Sequence, residues 1–234
     1  MKTHNIYNME TKIQSFIGLA DFVSLMNLSC GFFSIISAVN NNFTLSATFM
    51  ILSLLFDSID GWVARKTGRI DELGFGKNID SLSDTISFGL APAFFIYSYT
   101  HLNAPNLEVP AILVALFIII CGILRLARYN VISDKVKTFI GYPIPGIAIL
   151  IASFYLSGIF NIYLAFILAV IVSIAMICNV KYPKFSNKII LALNCICIIF
   201  LILQIPLKIF NVNIFGLILF LSTVYYLISP IFTN

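Results

Sequence analysis

Residues 57–84 read DSIDGWVARKTGRIDELGFGKNIDSLSD, and the rest of the chain is organised around them. Four acids, Asp57, Asp60, Asp80 and Asp84, stand at the facing ends of two apolar segments. Asp57, Asp60, Gly61, Ala64 and Arg65 fall at i, i+3, i+4, i+7 and i+8, one face of a helix. Gly76, Asp80 and Asp84 fall at i, i+4 and i+8, again one face. Two acidic helix ends therefore point at each other across a polar connection. Carboxylates so close repel strongly unless cations neutralise them, and one or two divalent metals are the simplest neutraliser.

The segments flanking this stretch are membrane spans. The 234 residues are 60% hydrophobic and only 10% charged, with a mean hydropathy of +1.00. A soluble domain carries roughly 25% charged residues. The sequence predicts an all-α, polytopic membrane helix bundle of about eight transmembrane helices. These run over 20–39, 45–65, 77–99, 109–129, 142–158, 161–179, 189–206 and 213–231. Asp21 is placed to cap the first. Gly18, Gly31, Gly89 and Gly122 are candidate helix-contact positions. Tyr225 and Tyr226 are candidate interfacial anchors. Ile6, Met9, Ile13, Phe16 and Ile17 recur at helical spacing, which suits a short N-terminal amphipathic helix on the membrane surface. No cleavable signal peptide is expected.

Basic residues set the orientation. Lys2 and Lys12 precede the first span. Arg65, Lys66, Arg69 and Lys77 surround the second connection, and Arg125, Arg128, Lys135 and Lys137 the fourth. Lys181, Lys184 and Lys188 fill the sixth, whereas the odd-numbered connections hold only Lys208. Both termini and the aspartates are expected on the cytoplasmic side of the cell membrane. The net charge of +4 is thereby explained by topology, without nucleic acid. The five cysteines lie in apolar runs with no CxxC pair, and His4 and His101 are far apart, so thiol or imidazole metal sites are not indicated.

An aspartate within a span costs about 3 kcal/mol even on lenient scales, so four together ask for a function. Oxygen-only donors suit Mg²⁺ or Mn²⁺, which complete their shells with water and substrate phosphate. Arg65 shares the face of Asp57 and Asp60 and is placed to meet a phosphate. Gly61 and Gly76 leave room for a ligand near the backbone. Asp71 and Glu72 read as solvated loop charges. The chemistry indicated is metal-assisted reaction of a phosphate-bearing substrate at the membrane edge.

The motif Asp57-x2-Asp60-Gly61-x2-Ala64-Arg65, then Gly76-x3-Asp80-x3-Asp84, resembles the signature of the CDP-alcohol phosphotransferases. The gap between Arg65 and Gly76 is longer than that family's usual spacing, and the insertion falls in the polar turn. Gly74 is the alternative second glycine, but it breaks the four-residue step to Asp80. Within the family the chain looks like the phosphatidylserine synthases. The similarity lies in ADFVSLMNLSCG (20–31), SLSDTISFGLAPA (81–93), LRLARYN (124–130) and FIGYPIPG (139–146). It covers about residues 15–150, taken as the catalytic core of a single membrane domain, with 151–234 adding further transmembrane helices.

The resemblance implies transfer of a phosphatidyl group from CDP-diacylglycerol to the hydroxyl of L-serine, releasing CMP. It implies two Mg²⁺ or Mn²⁺ ions on Asp57, Asp60, Asp80 and Asp84, with Asp84 also the catalytic base. Asp57, Gly61, Ala64, Arg65 and Gly76 would line the CDP-lipid pocket, and the enzyme would be a homodimer. Arg125, Arg128 and Asn130 are candidates for serine binding, although the two arginines are equally explained as topological charges or lipid-phosphate holders. Another acceptor (glycerol phosphate, inositol phosphate or choline) and an archaeal CDP-ether-lipid donor stay open. An ion-coupled transporter using intramembrane aspartates is the reading from another class.

Overall fold

A computed structural model describes residues 12–67, 74–132, 139–183, 188–205 and 207–233. The expected positions Ile6, Met9, Arg69, Asp71, Glu72, Lys135, Lys137 and Lys184 lie outside them. The described chain is a bundle of helices: α1 (Ile13–Phe16), α2 (Leu19–Val39), α3 (Phe43–Thr67), α4 (Phe75–Asp84), α5 (Ala91–Asn103), α6 (Glu108–Ile132), α7 (Pro145–Leu156), α8 (Ile162–Ile177), α9 (Lys188–Ile202) and α10 (Ile214–Thr233). Thr85–Leu90 is a π-helical segment joining α4 to α5, so these three form one continuous rod. Each apolar run read from the sequence is helical. By length and composition α2, α3, α6 with its leading turn, and α10 are able to cross a membrane, while α7, α8 and α9 are shorter apolar helices.

Small polar residues set the closest packing. Ser34 of α2 donates to the Ser46 carbonyl of α3 at 2.9 Å, and the two hydroxyls lie 3.0 Å apart. Ala38 and Ala47 are fully buried beside them. In hydrocarbon, where burying apolar surface gains nothing, such small contacts and hydrogen bonds hold helices together. α7 is buried from Gly146 to Phe154 except for the partly exposed Ile149, and it packs against α3 and α10. Pro145 starts it at a position where a missing N–H costs nothing.

Three sequence expectations change on detail. Asp21 is not the cap of α2. Gly18 is, and Asp21 sits three residues on, accepting the Gly18 N–H at 2.7 Å. Of the four glycines, Gly31 and Gly122 are contact positions: a Cβ on Gly31 would strike Ser87, and one on Gly122 would meet Ile144 Cδ1 at 2.8 Å. Gly89 faces open space. Tyr225 is exposed, but Tyr226 is packed inward, in ring contact with Tyr142 and Tyr182, and donates to the Pro183 carbonyl at 3.2 Å.

The loop after α6 is tied to the end of α8 by a two-residue antiparallel pair, β1 (Phe139–Ile140) with β2 (Lys181–Tyr182). Gly141 follows with φ +79°, and a Cβ there would overlap the Met176 carbonyl. Only glycine serves at that position. A hairpin, β3 (Lys208–Ile209) with β4 (Val212–Asn213), joins α9 to α10.

Candidate functional site

Helix α3 carries Asp57 and Asp60 in its last three turns, and α4 carries Asp80 and Asp84. Gly74 is the N-cap of α4 with φ +70°, so it is the turn glycine, and Gly76 lies inside the helix, one turn before Asp80. The i, i+4, i+8 face read from the sequence therefore exists. Oxygens of Asp57, Asp60 and Asp80 all lie within 4.8 Å of one another. The Asp84 carboxyl touches that of Asp57.

Each pair of carboxylates at that spacing repels by about 3 kcal/mol at an effective dielectric of about 20. Several such pairs together rival the whole stability of a folded domain. Arg125 of α6 is the buried cation among the described residues that faces them, near Asp57, Asp80 and Asp84. One guanidinium does not balance four carboxylates. An all-oxygen, acid-rich donor set of this size fits divalent Mg²⁺ or Mn²⁺.

Helix α2 fixes the acids from behind. Ser24 Oγ donates to Asp60 Oδ2 at 2.6 Å, and Asn27 Nδ2 donates to Asp84 Oδ1 at 3.1 Å. Asn27 is fully buried. Its carbonyl accepts Ser87 Oγ at 2.8 Å, and Gly31 lets Ser87 pack directly on α2. The first turn of the π segment is thereby pinned, and with it Asp84 one turn earlier. Widened π turns recur at functional sites, where they re-aim side chains. The sequence reading missed Ser24 and Asn27. The signal was present: Asp21, Ser24 and Asn27 recur every three residues as a polar stripe through residues 19–28, which are otherwise apolar. Asn27→Ala is expected to lower kcat about ten- to hundredfold, the usual loss for an outer-shell partner, with little change in the KM for a CDP-lipid. Steady-state kinetics on the purified variant separate the two parameters.

The remaining candidates divide. Ala64 and Arg65 are exposed on α3, and the Arg65 guanidinium folds back over Gly61, 3.4 Å from where a Cβ would sit there. Arg125 lies over the Tyr129 ring at 5.2 Å, and its buried Nε has no hydrogen-bond partner among the described residues. Arg128, on the same helix, does something else. It donates to the carbonyls of Met176, Ile177, Cys178 and Ile140 at 2.7 to 3.3 Å and to Asn179 Oδ1 at 3.3 Å. It caps the orphan carbonyls of α8 and anchors β1. Asn130 joins α6 to α4: its Nδ2 donates to Ser81 Oγ at 2.8 Å, and its carbonyl accepts Lys77 Nζ at 2.9 Å.

Over residues 17–180 the chain matches the CDP-alcohol phosphatidyltransferases. The chain belongs to that family. It is 49% identical to archaetidylserine synthase of Methanothermobacter thermautotrophicus over 175 residues, covering 75% of this chain and 73% of that protein. It is 38% identical over 195 residues to CDP-diacylglycerol–serine O-phosphatidyltransferase of Methanocaldococcus jannaschii, covering 83% and 88%. The Bacillus subtilis protein of the same name is 33% identical over 167 residues, covering 70% and 89%. A CDP-alcohol phosphatidyltransferase is a transferase of phospholipid synthesis, and the membrane helices and aspartate cluster suit that chemistry. The family match includes all four aspartates and ends just after α8, before α9 and α10 begin.

Proposed function

We propose that the protein transfers a phosphatidyl-type group from a CDP-activated glycerolipid to the hydroxyl of L-serine and releases CMP. The observation that carries it is the convergence of Asp57, Asp60 and Asp80 within 4.8 Å in a chain of this family. Serine as acceptor is supported by the names of the three relatives. Ion transport is disfavoured by the family and by acids gathered at one end of α3.

Asp57, Asp60 and Asp80, with Asp84 beside them, would hold two Mg²⁺ or Mn²⁺ ions. Neutralisation of the pyrophosphate and of the leaving CMP is the chemistry such ions supply there. Arg65 and Gly61 receive the diphosphate, with Ala64 and Gly76 leaving space beside it. Asp84, held by Asn27, takes the serine proton as the serine oxygen bonds to the lipid-side phosphorus. The bridging P–O bond breaks, and its electron pair leaves with CMP. The lysine and arginine pattern supports a site facing the cytoplasm.

Arg125 is assigned the serine carboxylate, because its buried head faces the acids while Arg128 is engaged by carbonyls. Arg125→Ala is expected to raise the KM for serine about ten- to hundredfold, the worth of one charge-assisted hydrogen bond. The KM for the CDP-lipid should change far less. Arg128→Ala should lower the melting temperature and leave the serine KM near that of the unaltered protein. An equal rise in both KM values for Arg125→Ala would assign that residue to structure.

A second donor is favoured by the name of the 49% identical relative: a CDP-ether lipid of the archaeal kind. The head carries the metal and arginine contacts, so tails joined by ester or ether both suit the site. The test offers the purified protein each donor with serine, glycerol phosphate, inositol phosphate or choline, and identifies the lipid product by mass spectrometry. A serine-containing phospholipid is the expected product, and the donor that yields it faster sets the tail type. A product from another alcohol alone would overturn the acceptor and keep the chemistry.

A further inference from the structure

A cavity of about 470 Å³ lies at the end of the bundle opposite the aspartates. Thr44, in the first turn of α3, lines it, and about 20 Å of helix separates that residue from Asp57. Its other walls come from α5, α7, α9 and the hairpin of β3 and β4. A volume of several hundred Å³ is that of a small-molecule site.

The polar lining holds a cation and no carboxylate among the described residues. Lys208, Gln204 and Thr44 are exposed at the mouth, and Asn213, Tyr99 and Tyr155 are half-buried. Each carries a hydrogen that it can donate. Asn213 Oδ1 accepts the Phe215 N–H at 3.1 Å, which leaves Nδ2 to donate. Lys208 is the basic residue of the odd-numbered connections. The acid found at this end, Glu108, is held by His101 at 3.0 Å and not by Lys208.

The mouth is held in place by the chain around it. The Asn213 N–H donates to the Ser157 carbonyl at 2.9 Å, and the Ile214 N–H to the Leu207 carbonyl at 2.9 Å. Gly158 has φ +83°, and a Cβ there would meet the Asn211 carbonyl at 2.8 Å, so the hairpin packs on the turn after α7. Phe210 and Asn211 at the hairpin tip both have positive φ, a rare conformation for phenylalanine. Phe210 is 97% exposed, and Leu207 and Ile209, on either side of Lys208 in the chain, are exposed as well. Apolar side chains laid bare around a lysine suit the headgroup boundary of a bilayer. There the apolar groups enter the acyl layer and the ammonium stays among phosphates.

We propose that this cavity binds the phosphate-bearing headgroup of an anionic phospholipid, from the leaflet on the far side of the membrane from the aspartates. Lys208 takes the phosphate as a point charge. The Asn213 amide and the two tyrosine hydroxyls take the remaining oxygens, and the rings of Phe160 and Phe200 wall the carbon part. Free phosphate could use the same lysine, but it has no use for apolar walls or for an exposed apolar hairpin. The site is separate from the aspartates and does not depend on the reaction proposed for them.

The test titrates the purified protein with phosphatidylglycerol and follows the melting temperature, which a bound ligand raises by mass action. EDTA is present throughout, so that metal-free aspartates repel an anionic head. Lys208→Gln removes the cation from an exposed position. Thr44→Trp fills the mouth from α3 and keeps Lys208, so the failure of one variant to fold leaves the other. Lys208→Gln is expected to weaken the apparent lipid affinity about tenfold, the lower end of what a charge-assisted hydrogen bond is worth. Thr44→Trp should weaken it at least as much. The same affinity in the unaltered protein and both variants would place the lipid elsewhere and overturn the proposal. Diacylglycerol, which lacks the phosphate, should leave the melting temperature unchanged, and a rise equal to that from phosphatidylglycerol would overturn the headgroup reading. Inorganic phosphate that matched the lipid's effect, and lost it in Lys208→Gln, would assign the cavity to a free anion and overturn the lipid.

Discussion

Asp84→Asn is expected to bind CDP-lipid nearly as well as the unaltered protein and to turn it over about a thousandfold more slowly. General-base catalysis contributes about 10²- to 10⁴-fold, and an amide cannot take the serine proton. The substitution is nearly isosteric, so Asn27 keeps a hydrogen-bonding neighbour, because an amide oxygen still accepts from its Nδ2. The three-aspartate cluster stays complete without Asp84. Binding is read by the melting-temperature rise on adding CDP-lipid, and turnover by CMP release. Turnover within a few-fold of the unaltered protein would remove Asp84 from the role of base.

Asp57→Ala should act differently, on binding and turnover together. Asp57 belongs to the cluster within 4.8 Å and also touches Asp84, so it links the two halves of the site. Loss of an outer-shell group weakens a metal site about ten- to hundredfold, and loss of a ligand should exceed that. Mn²⁺ titration followed by electron paramagnetic resonance is expected to show affinity weakened about a hundredfold or more, with activity lost in parallel. Unchanged Mn²⁺ binding would mean that Asp57 is not a ligand. Removing one of the crowded carboxylates relieves repulsion within the cluster, so the melting temperature of this variant is expected not to fall.

The sequence shows the acids and the helices that carry them because both are local signals. The spacing in residues 57–84 fixes which side chains share a face, and apolar runs fix the spans. What is missing from that reading is made by contacts between distant segments. Arg125 and Arg128 look equivalent in LRLARYN, one helical turn apart. Only the arrival of the α8 terminus beside Arg128 separates a capping arginine from one facing the acids. Ser24 and Asn27 needed the approach of α2 to α3 and the π segment, which Gly31 permits. Tyr226 has an interfacial anchor's position along the chain, yet the pairing of β1 with β2 brings Tyr182 to it and turns it inward. Asp21, polar and near a helix start, reads equally as cap or third residue until the backbone of Gly18 is seen.

The most direct measurement is CMP release by the detergent-purified protein given a CDP-lipid and L-serine, with Mg²⁺ or Mn²⁺ and then with EDTA. CMP should form in step with a serine-containing lipid, be abolished by the chelator and be restored by adding either metal in excess. Serine-dependent CMP release that persists unchanged in EDTA would contradict the metal-holding role of Asp57, Asp60 and Asp80.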